Sequence, residues 1–263
     1  MVKISNLRFE YKNKVIFDKF NLDIKDKSIV SIIGQNGSGK STLGKILVGL
    51  LDFDGEISID GVELNKCNIK KIRKNIGVVF ENPDNQIVKE IVYDDIAYTL
   101  NNMDVEEVKN RVFEISEYLG IIDILYSNIS ELNVNQKQLV CLASALVHNP
   151  QILILDETLA LLDALEKDKI LKLLKDLKRK GLTVINITHD IEDTLISDEI
   201  IVLDKGKVVL KGRKNKVYDS EKILKPLGFD LPFMVELSNR LMFYGLIDHV
   251  IYDMEEMVDM LWQ

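Results

Sequence analysis

An apolar run rich in β-branched residues, Ile29-Val-Ser-Ile-Ile33, passes directly into Gly34-Gln-Asn-Gly-Ser-Gly-Lys-Ser41. Beyond it, Leu43, Ile46, Leu47 and Leu50 fall on one face of a helix expected over 41–51. The succession reads as buried parallel strand, glycine-rich turn and helix. It constrains the chain to an α/β architecture whose first crossover opens on an anion nest. The glycines let successive N–H groups turn inward, and the helix start adds the positive end of its dipole. The spacing fits G-x-x-x-x-G-K-[ST], which puts Lys40 at the β- and γ-phosphates of a nucleotide and the Ser41 hydroxyl at Mg²⁺. Gly34, Gln35, Asn36, Gly37, Ser38, Gly39 and Thr42 complete the expected nucleotide-contacting loop.

A second element points to the same chemistry. Ile152-Leu-Ile-Leu155 is the most apolar strand candidate, and it delivers Asp156 and Glu157 at its C-terminal end. Open α/β sheets bind ligands at that edge. Asp156 there is suited to orient Mg²⁺, directly or through water, and Glu157 to act as general base on an attacking water.

Further strands are expected at 2–9, 15–24, 56–62, 77–80, 183–188 and 199–203, with hairpins at Tyr11–Lys14 and Asp204–Lys207. Helices are expected over 92–101, 105–119, 136–148 and 164–180; Gly120 and Gly181 stop the second and the last. After about Asp219, Lys225-Pro226 and Leu231-Pro232 break the pattern. Two short helical stretches follow, over 233–243 and 253–261, and 220–263 reads as a small C-terminal appendage. The lysine-rich stretch 66–74 reads as a solvated face.

Charge and composition exclude several classes. With 34 basic against 42 acidic residues and a net charge of −8, the chain lacks the electrostatics of a nucleic-acid binder. Its two cysteines, Cys67 and Cys141, form neither a disulfide framework nor a C-x-x-C site. His148, His189 and His249 are too scattered for a metal-spacing motif. The N-terminus lacks the apolar core of a signal peptide. No apolar stretch approaches the roughly 18 residues of a membrane-spanning helix, so any work at a membrane is expected from the water side.

In the order of these motifs, residues 1 to about 218 resemble the ATPase subunits of ABC transporters. The resemblance implies a P-loop NTPase core with an N-terminal antiparallel β-subdomain and a helical subdomain at about 82–150, all within 1–219. Tyr11 matches the aromatic that stacks on adenine, and Asp163 the loop that crosses to a partner subunit. His189, after Val184-Ile-Asn-Ile-Thr188, matches the switch histidine at the γ-phosphate. Val79-Phe80-Glu-Asn-Pro-Asp-Asn-Gln86 is similar to the glutamine loop of the energy-coupling-factor (ECF) branch, with Glu81 at the glutamine, where it would bear on the nucleotide and Mg²⁺. The tail from Leu227 to Phe233 resembles that branch's C-terminal segment. It implies that 220–263 helps pair two ATPase subunits through Phe233, Leu237 and Leu241; a plain helical cap on the core is the alternative.

The resemblance implies ATP and Mg²⁺ as ligands and a second ATPase subunit as partner. It also implies a transmembrane coupling protein, a substrate-binding membrane subunit and a place at the cytoplasmic face of the membrane, in uptake of a vitamin or transition-metal ion. Departures bear on the pairing. The signature segment is Leu132-Asn-Val-Asn-Gln136 in place of one with serine and two glycines, Thr158 replaces a proline, and Leu139 stands where arginine is usual. Because each ATP site joins one subunit's phosphate loop to the other's signature, the defects fall mainly on the partner's site. An asymmetric pair with an unlike ATPase is therefore expected. A nucleotide-binding half with little turnover is the second reading, and a soluble ABC ATPase of translation or DNA repair the third.

Overall fold

The computed structural model describes residues 1–12, 14–100 and 103–261. Asn13 of the expected hairpin and Asn101 at the end of an expected helix lie outside them. Two sheets form the body. β1 (Val2–Tyr11), β2 (Lys14–Ile24), β4 (Asp54–Ile59) and β5 (Val62–Glu63) make an antiparallel sheet in the order β2-β1-β4-β5. The second sheet contains β3 (Ile29–Gly34), β6 (Ile76–Val79), β7 (Ile152–Asp156), β8 (Thr183–Thr188), β9 (Glu199–Asp204) and β10 (Lys207–Gly212). Its order is β10-β9-β3-β8-β7-β6, parallel throughout except for the antiparallel edge strand β10. Every residue of β3, β7 and β8 is buried, as continuous apolar parallel strands require.

One apolar cluster fills the space between the two sheets and α1 (Lys40–Leu47). A second joins the other face of the parallel sheet to a helical lobe. The lobe is built of α3 (Val92–Ala97), α4 (Val105–Tyr118) and α5 (Val134–Leu146), and α6 (Ala164–Arg179) packs beside it. A third cluster unites Ile33, Ile200 and Val202 of the sheet with Val217, Tyr218, Leu224, Phe229 and Val235. The chain after Asp219 is thus packed onto the sheet, through α7 (Lys214–Tyr218) and α8 (Glu221–Leu224). The last helices, α9 (Phe233–Phe243) and α10 (Met254–Leu261), close over Met234, Ile247, Ile251 and Met257.

Several expectations change. The helix after the phosphate loop ends at Leu47, four residues early. Gly49 takes φ 66°, its N–H bonds Ile46 O, and Leu50 N bonds Lys45 O, the paired bonds of a Schellman motif. Leu50 is thereby thrown onto the surface. The strand expected over 56–62 is a hairpin, because Asp60 and Gly61 both adopt positive φ, the combination a two-residue turn needs. The lysine-rich stretch contains a short helix, α2 (Ile69–Arg73), with Ile72 buried. The Arg73 guanidinium caps the Val48 and Gly49 carbonyls at 3.0 and 2.9 Å. The helix expected from Gln136 starts at Val134, because Asn133 and Gln136 form a reciprocal capping box. Leu237 and Leu241 of the tail turn inward onto the last apolar cluster, while Phe233 stays exposed.

Gly77 sets how closely the sheet meets the helical lobe. A Cβ there would lie 2.3 Å from the Ala145 carbonyl oxygen of α5. Gly77→Ala is therefore expected to destabilise the protein by about 1–3 kcal/mol, the usual cost of overpacking. The check is a lowered urea midpoint with an unchanged slope.

Candidate functional site

The register of the parallel sheet assembles the site. Ile33 pairs with Thr188, and Asp156 with Ile187, so the C-terminal ends of β3, β7 and β8 lie side by side. From β3 the chain turns through Gly34–Gly39. The turn is tight: a Cβ on Gly34 would meet Leu203 O at 2.4 Å and Ser38 Oγ at 2.5 Å. Gly39 adopts φ 107°, and a Cβ there would press on the Phe17 ring at 2.9 Å. Both positions require glycine.

A cleft of about 290 Å³ opens at this edge. Asn36, Gly37, Gly39, Lys40, Ser41 and Thr42 line one side, with Glu81, Glu157, Ala160 and His189 facing them. Lys40 is almost wholly buried. Its ammonium donates to Gly34 O at 2.7 Å and Gln35 O at 3.3 Å and stands 3.6 Å from Glu157 Oε1. Burial lowers its pKa, and the Glu157 carboxylate pulls the other way. Ser41 Oγ donates to Asp156 Oδ1 at 2.9 Å. Burial raises the Asp156 pKa; the Ser41 hydrogen bond opposes this and the neighbouring Glu157 adds to it. A carboxylate so placed gains most from a cation.

Glu157 is held in an unusual backbone. Its φ is 54°, left-handed for a residue with a Cβ, and its N–H is fixed to Ile187 O at 2.8 Å. Such a conformation costs on the order of 1–3 kcal/mol. It bends the chain at the end of β7 and sends the carboxylate into the cleft. There Glu157 Oε2 meets His189 Nδ1 in a direct hydrogen bond. A buried carboxylate held by an imidazole and next to an ammonium is placed to order and deprotonate a water.

The fit to Mg²⁺ rests on the donor set. Ser41, Asp156 and Glu81 offer only oxygens, which suits a hard cation. Among the described residues no cluster of three or more histidine, cysteine, aspartate or glutamate side chains is arranged around a metal.

Not every expected residue reaches the cleft. Tyr11 lies at the end of β1, its ring edge-on to Phe9 at 4.7 Å, and is not part of the lining. Gln35 turns away, and its Nε2 donates to Leu227 O at 3.0 Å. The Ser38 hydroxyl is buried with no partner. Asp163 caps α6 by accepting from Glu166 N at 2.9 Å, and its other oxygen accepts from Asn135 Nδ2 at 3.2 Å.

Sequence reasoning missed the residues that shape the loop carrying Glu81. Gln86 is its internal strut: Phe80 N donates to Oε1 at 3.0 Å and Nε2 donates to Val78 O at 2.9 Å. Buried Asp95 accepts from Val88 N, Lys89 N and Ser144 Oγ, tying the loop to α5. The spacing Asn82-Pro83-Asp84, with Asn82 Oδ1 accepting from Asp84 N, was the available signal that this loop is ordered.

Comparison with known proteins converges on one family. The family described as ABC transporter matches residues 17–160. The energy-coupling factor transporter ATP-binding protein EcfA1 of Ligilactobacillus salivarius is 40% identical over all of this chain and 96% of its own length. Its counterpart in Mycoplasmopsis synoviae is 37% identical over 92% of this chain and 93% of its own. Among solved structures, CbiO1 of Clostridium perfringens, described as part of the ABC transporter complex CbiONQ, superposes with a TM-score of 0.78. It is 31% identical and covers 93% of this chain and 96% of its own. No helix among the described residues is long and apolar enough to cross a membrane. The strand–loop–helix nest, the acidic end of β7 and these full-length relatives together establish that the chain belongs to the ABC transporter ATPases, in the family of energy-coupling-factor transporter ATP-binding proteins.

Proposed function

We propose that the chain binds and hydrolyses ATP with Mg²⁺ as one half of an unlike ATPase pair. The pair works at the cytoplasmic face of the membrane and drives an ECF importer for a vitamin or transition-metal ion. The observation that carries this reading is the convergence of Lys40, Ser41, Glu157 and His189 on one cleft, with buried Asp156 bonded to Ser41 behind its lining. In this reading Lys40 and the loop N–H groups hold the β- and γ-phosphates, and Ser41 and Asp156 hold Mg²⁺, with Glu81 beside them. When bound, Mg²⁺ neutralises charge on the phosphate oxygens. Glu157 takes the proton of the attacking water, and His189 keeps the Glu157 carboxylate oriented while its other ring nitrogen faces the γ-phosphate.

The unlike pair is supported by the signature segment. Val134 is half exposed on the first turn of α5, adding β-branched bulk where two backbones must come close. The Asn133 side chain accepts from Gln136 N at 2.9 Å, so one helix-start donor is already occupied. A segment of this kind is a poor clamp for a partner's γ-phosphate, whereas this chain's own cleft keeps Lys40, Ser41, Glu157 and His189. Two copies of the chain would match two such clamps to two intact loops.

Two surfaces fit the remaining partners. A groove of about 670 Å³ runs between the parallel sheet and the helical lobe, with Leu50, Val88, Tyr98 and Met103 exposed along it. It suits an apolar cytoplasmic segment of the membrane subunit. In this reading residues 1–219 are the catalytic part and 220–263 the pairing part. In the tail, Leu237 and Leu241 are used internally, which leaves Phe233, Phe243 and Tyr244 for the second ATPase.

Three outcomes are expected. Lys40→Ala should weaken Mg-ATP binding by about 1.5–3 kcal/mol, read by equilibrium titration; unchanged affinity removes Lys40 from the nucleotide. Glu157→Gln should slow single-turnover hydrolysis by the reconstituted pair by about 10²–10⁴-fold while ATP stays bound. If hydrolysis stays near wild type, the working site is the partner's and the second reading, a nucleotide-binding half, takes over. In the tail, replacing Phe243 and Tyr244 by alanine should weaken pairing by about 2 kcal/mol or more in sedimentation. Leu237→Ala should lower stability and leave the affinity of the folded chain unchanged.

A further inference from the structure

A charged network lies directly behind the turn that carries His189. Asp193 is fully buried, and its Oδ2 accepts from the Thr188 hydroxyl at 2.7 Å. Its other oxygen is paired with the Lys167 ammonium, which also meets Asp190 Oδ2 at 3.0 Å. Thr188 Oγ1 in turn accepts from Asp190 N at 3.0 Å. Thr188, His189 and Asp190 are thus gripped on both sides of the histidine by groups that converge on one ion pair. The His189 side chain is itself more than half exposed and is hydrogen-bonded to Glu157 through Nδ1, so little burial helps to fix it.

Burying Asp193 is costly unless its charge is matched, and burial does push its carboxyl up, with Lys167 and Thr188 pulling against it. A buried ion pair is weak evidence for stability, since apolar replacement of both partners is often neutral. Its geometric consequence is clearer. The pair fixes the direction of the Thr188 hydroxyl, the hydroxyl fixes the Asp190 N–H, and between them the backbone that aims His189 has one arrangement. Lys167 stands one turn from Asp163 on α6, and its own N–H bonds Asp163 O at 2.8 Å. The ammonium therefore comes from the helix that begins at the surface facing the partner.

We propose that Lys167 and Asp193 are positioning residues for ATP hydrolysis, holding the Thr188–Asp190 turn so that His189 meets Glu157. This rests on the assignment of Glu157 and His189 to the hydrolytic step. Neither Lys167 nor Asp193 lines the cleft, so both act through the histidine.

The test uses the full chain assembled with its ATPase partner, with rates expressed per bound ATP so that unfolded protein does not count. Lys167→Met is expected to slow single-turnover hydrolysis about ten- to a hundredfold, the scale of a misplaced catalytic group, with ATP affinity unchanged. Lys167→Arg should restore the rate. The paired variant Lys167→Met with Asp193→Leu should regain thermal stability and remain slow. In the full chain alone, the His189 ring resonance should move in Lys167→Met and stay in place in Lys172→Met, which breaks only exposed pairs, with Asp168 and Glu255. A Lys167→Met rate within twofold of the parent, or joint recovery of stability and rate in the paired variant, overturns the proposal. His189→Ala is measured alongside: if it hydrolyses at the parent rate, the assignment of His189 itself fails. Loss in His189→Ala with none in Lys167→Met fails only the positioning role.

Discussion

The register of three parallel strands is the constraint on which the site depends. Ile33 opposite Thr188 and Asp156 opposite Ile187 set the ends of β3, β8 and β7 level. Gly34, His189 and Glu157 are the residues that immediately follow those strands or end them. A shift of one residue in any pairing would turn the following side chain to the opposite face. Register is firmly specified here because both faces of the sheet are buried, by the inter-sheet cluster on one side and the helical lobe on the other. Gly77 against Ala145 belongs to the same constraint, since it sets how closely the lobe approaches the strands.

Charge burial follows from that geometry. The loop closes over Lys40, β7 delivers Asp156 and Glu157 inward, and Asp193 is enclosed behind β8. Each is costly alone, and each has a partner: Glu157 for Lys40, Ser41 for Asp156, Lys167 for Asp193. The pairs differ in purpose. Lys40 and its partner Glu157 line a cleft, and Asp156 is bonded to Ser41 of the same lining. Lys167 and Asp193 are sealed away from it and can only hold shape.

What the sequence disclosed follows the same division. The phosphate loop and Asp156-Glu157 were legible because their signals are local, each at a strand end, whereas His189 stood out only through the family likeness. The parallel strands were legible as apolar runs. The hairpin at Asp60-Gly61 was missed although Asp-Gly is a turn signal, because β5 is only two residues long and shows no alternation. The hairpin at Asp204–Lys207 implied a return strand, but the extent of β10 was not readable because it is an edge strand with charged residues at Lys207 and Lys211. Gln86, Asp95 and the Lys167–Asp193 pair were beyond reach. Their partners are separated in sequence by tens of residues or, as with Gln86, are backbone groups that no side-chain pattern reveals. Tyr11 shows the converse: a residue placed by family likeness need not reach the cleft, since here the ring leans on Phe9.

Four departures from the family pattern, Asn133, Asn135, Thr158 and Leu139, are satisfied where they stand. Asn133 supplies the helix cap and closes a capping box with Gln136. Asn135, where the family signature has a glycine, has a side chain and uses it to bond Asp163. Thr158 Oγ1 donates to Val79 O at 3.2 Å, fastening the turn after Glu157 to β6. Leu139 is buried in the core of the helical lobe, where an arginine would need a partner. The signature segment is thus held by contacts within its own chain. Asn135–Asp163 fastens it to the start of α6, the helix that also carries Lys167. A segment bound to its own subunit in this way is suited to move with that subunit's hydrolytic site.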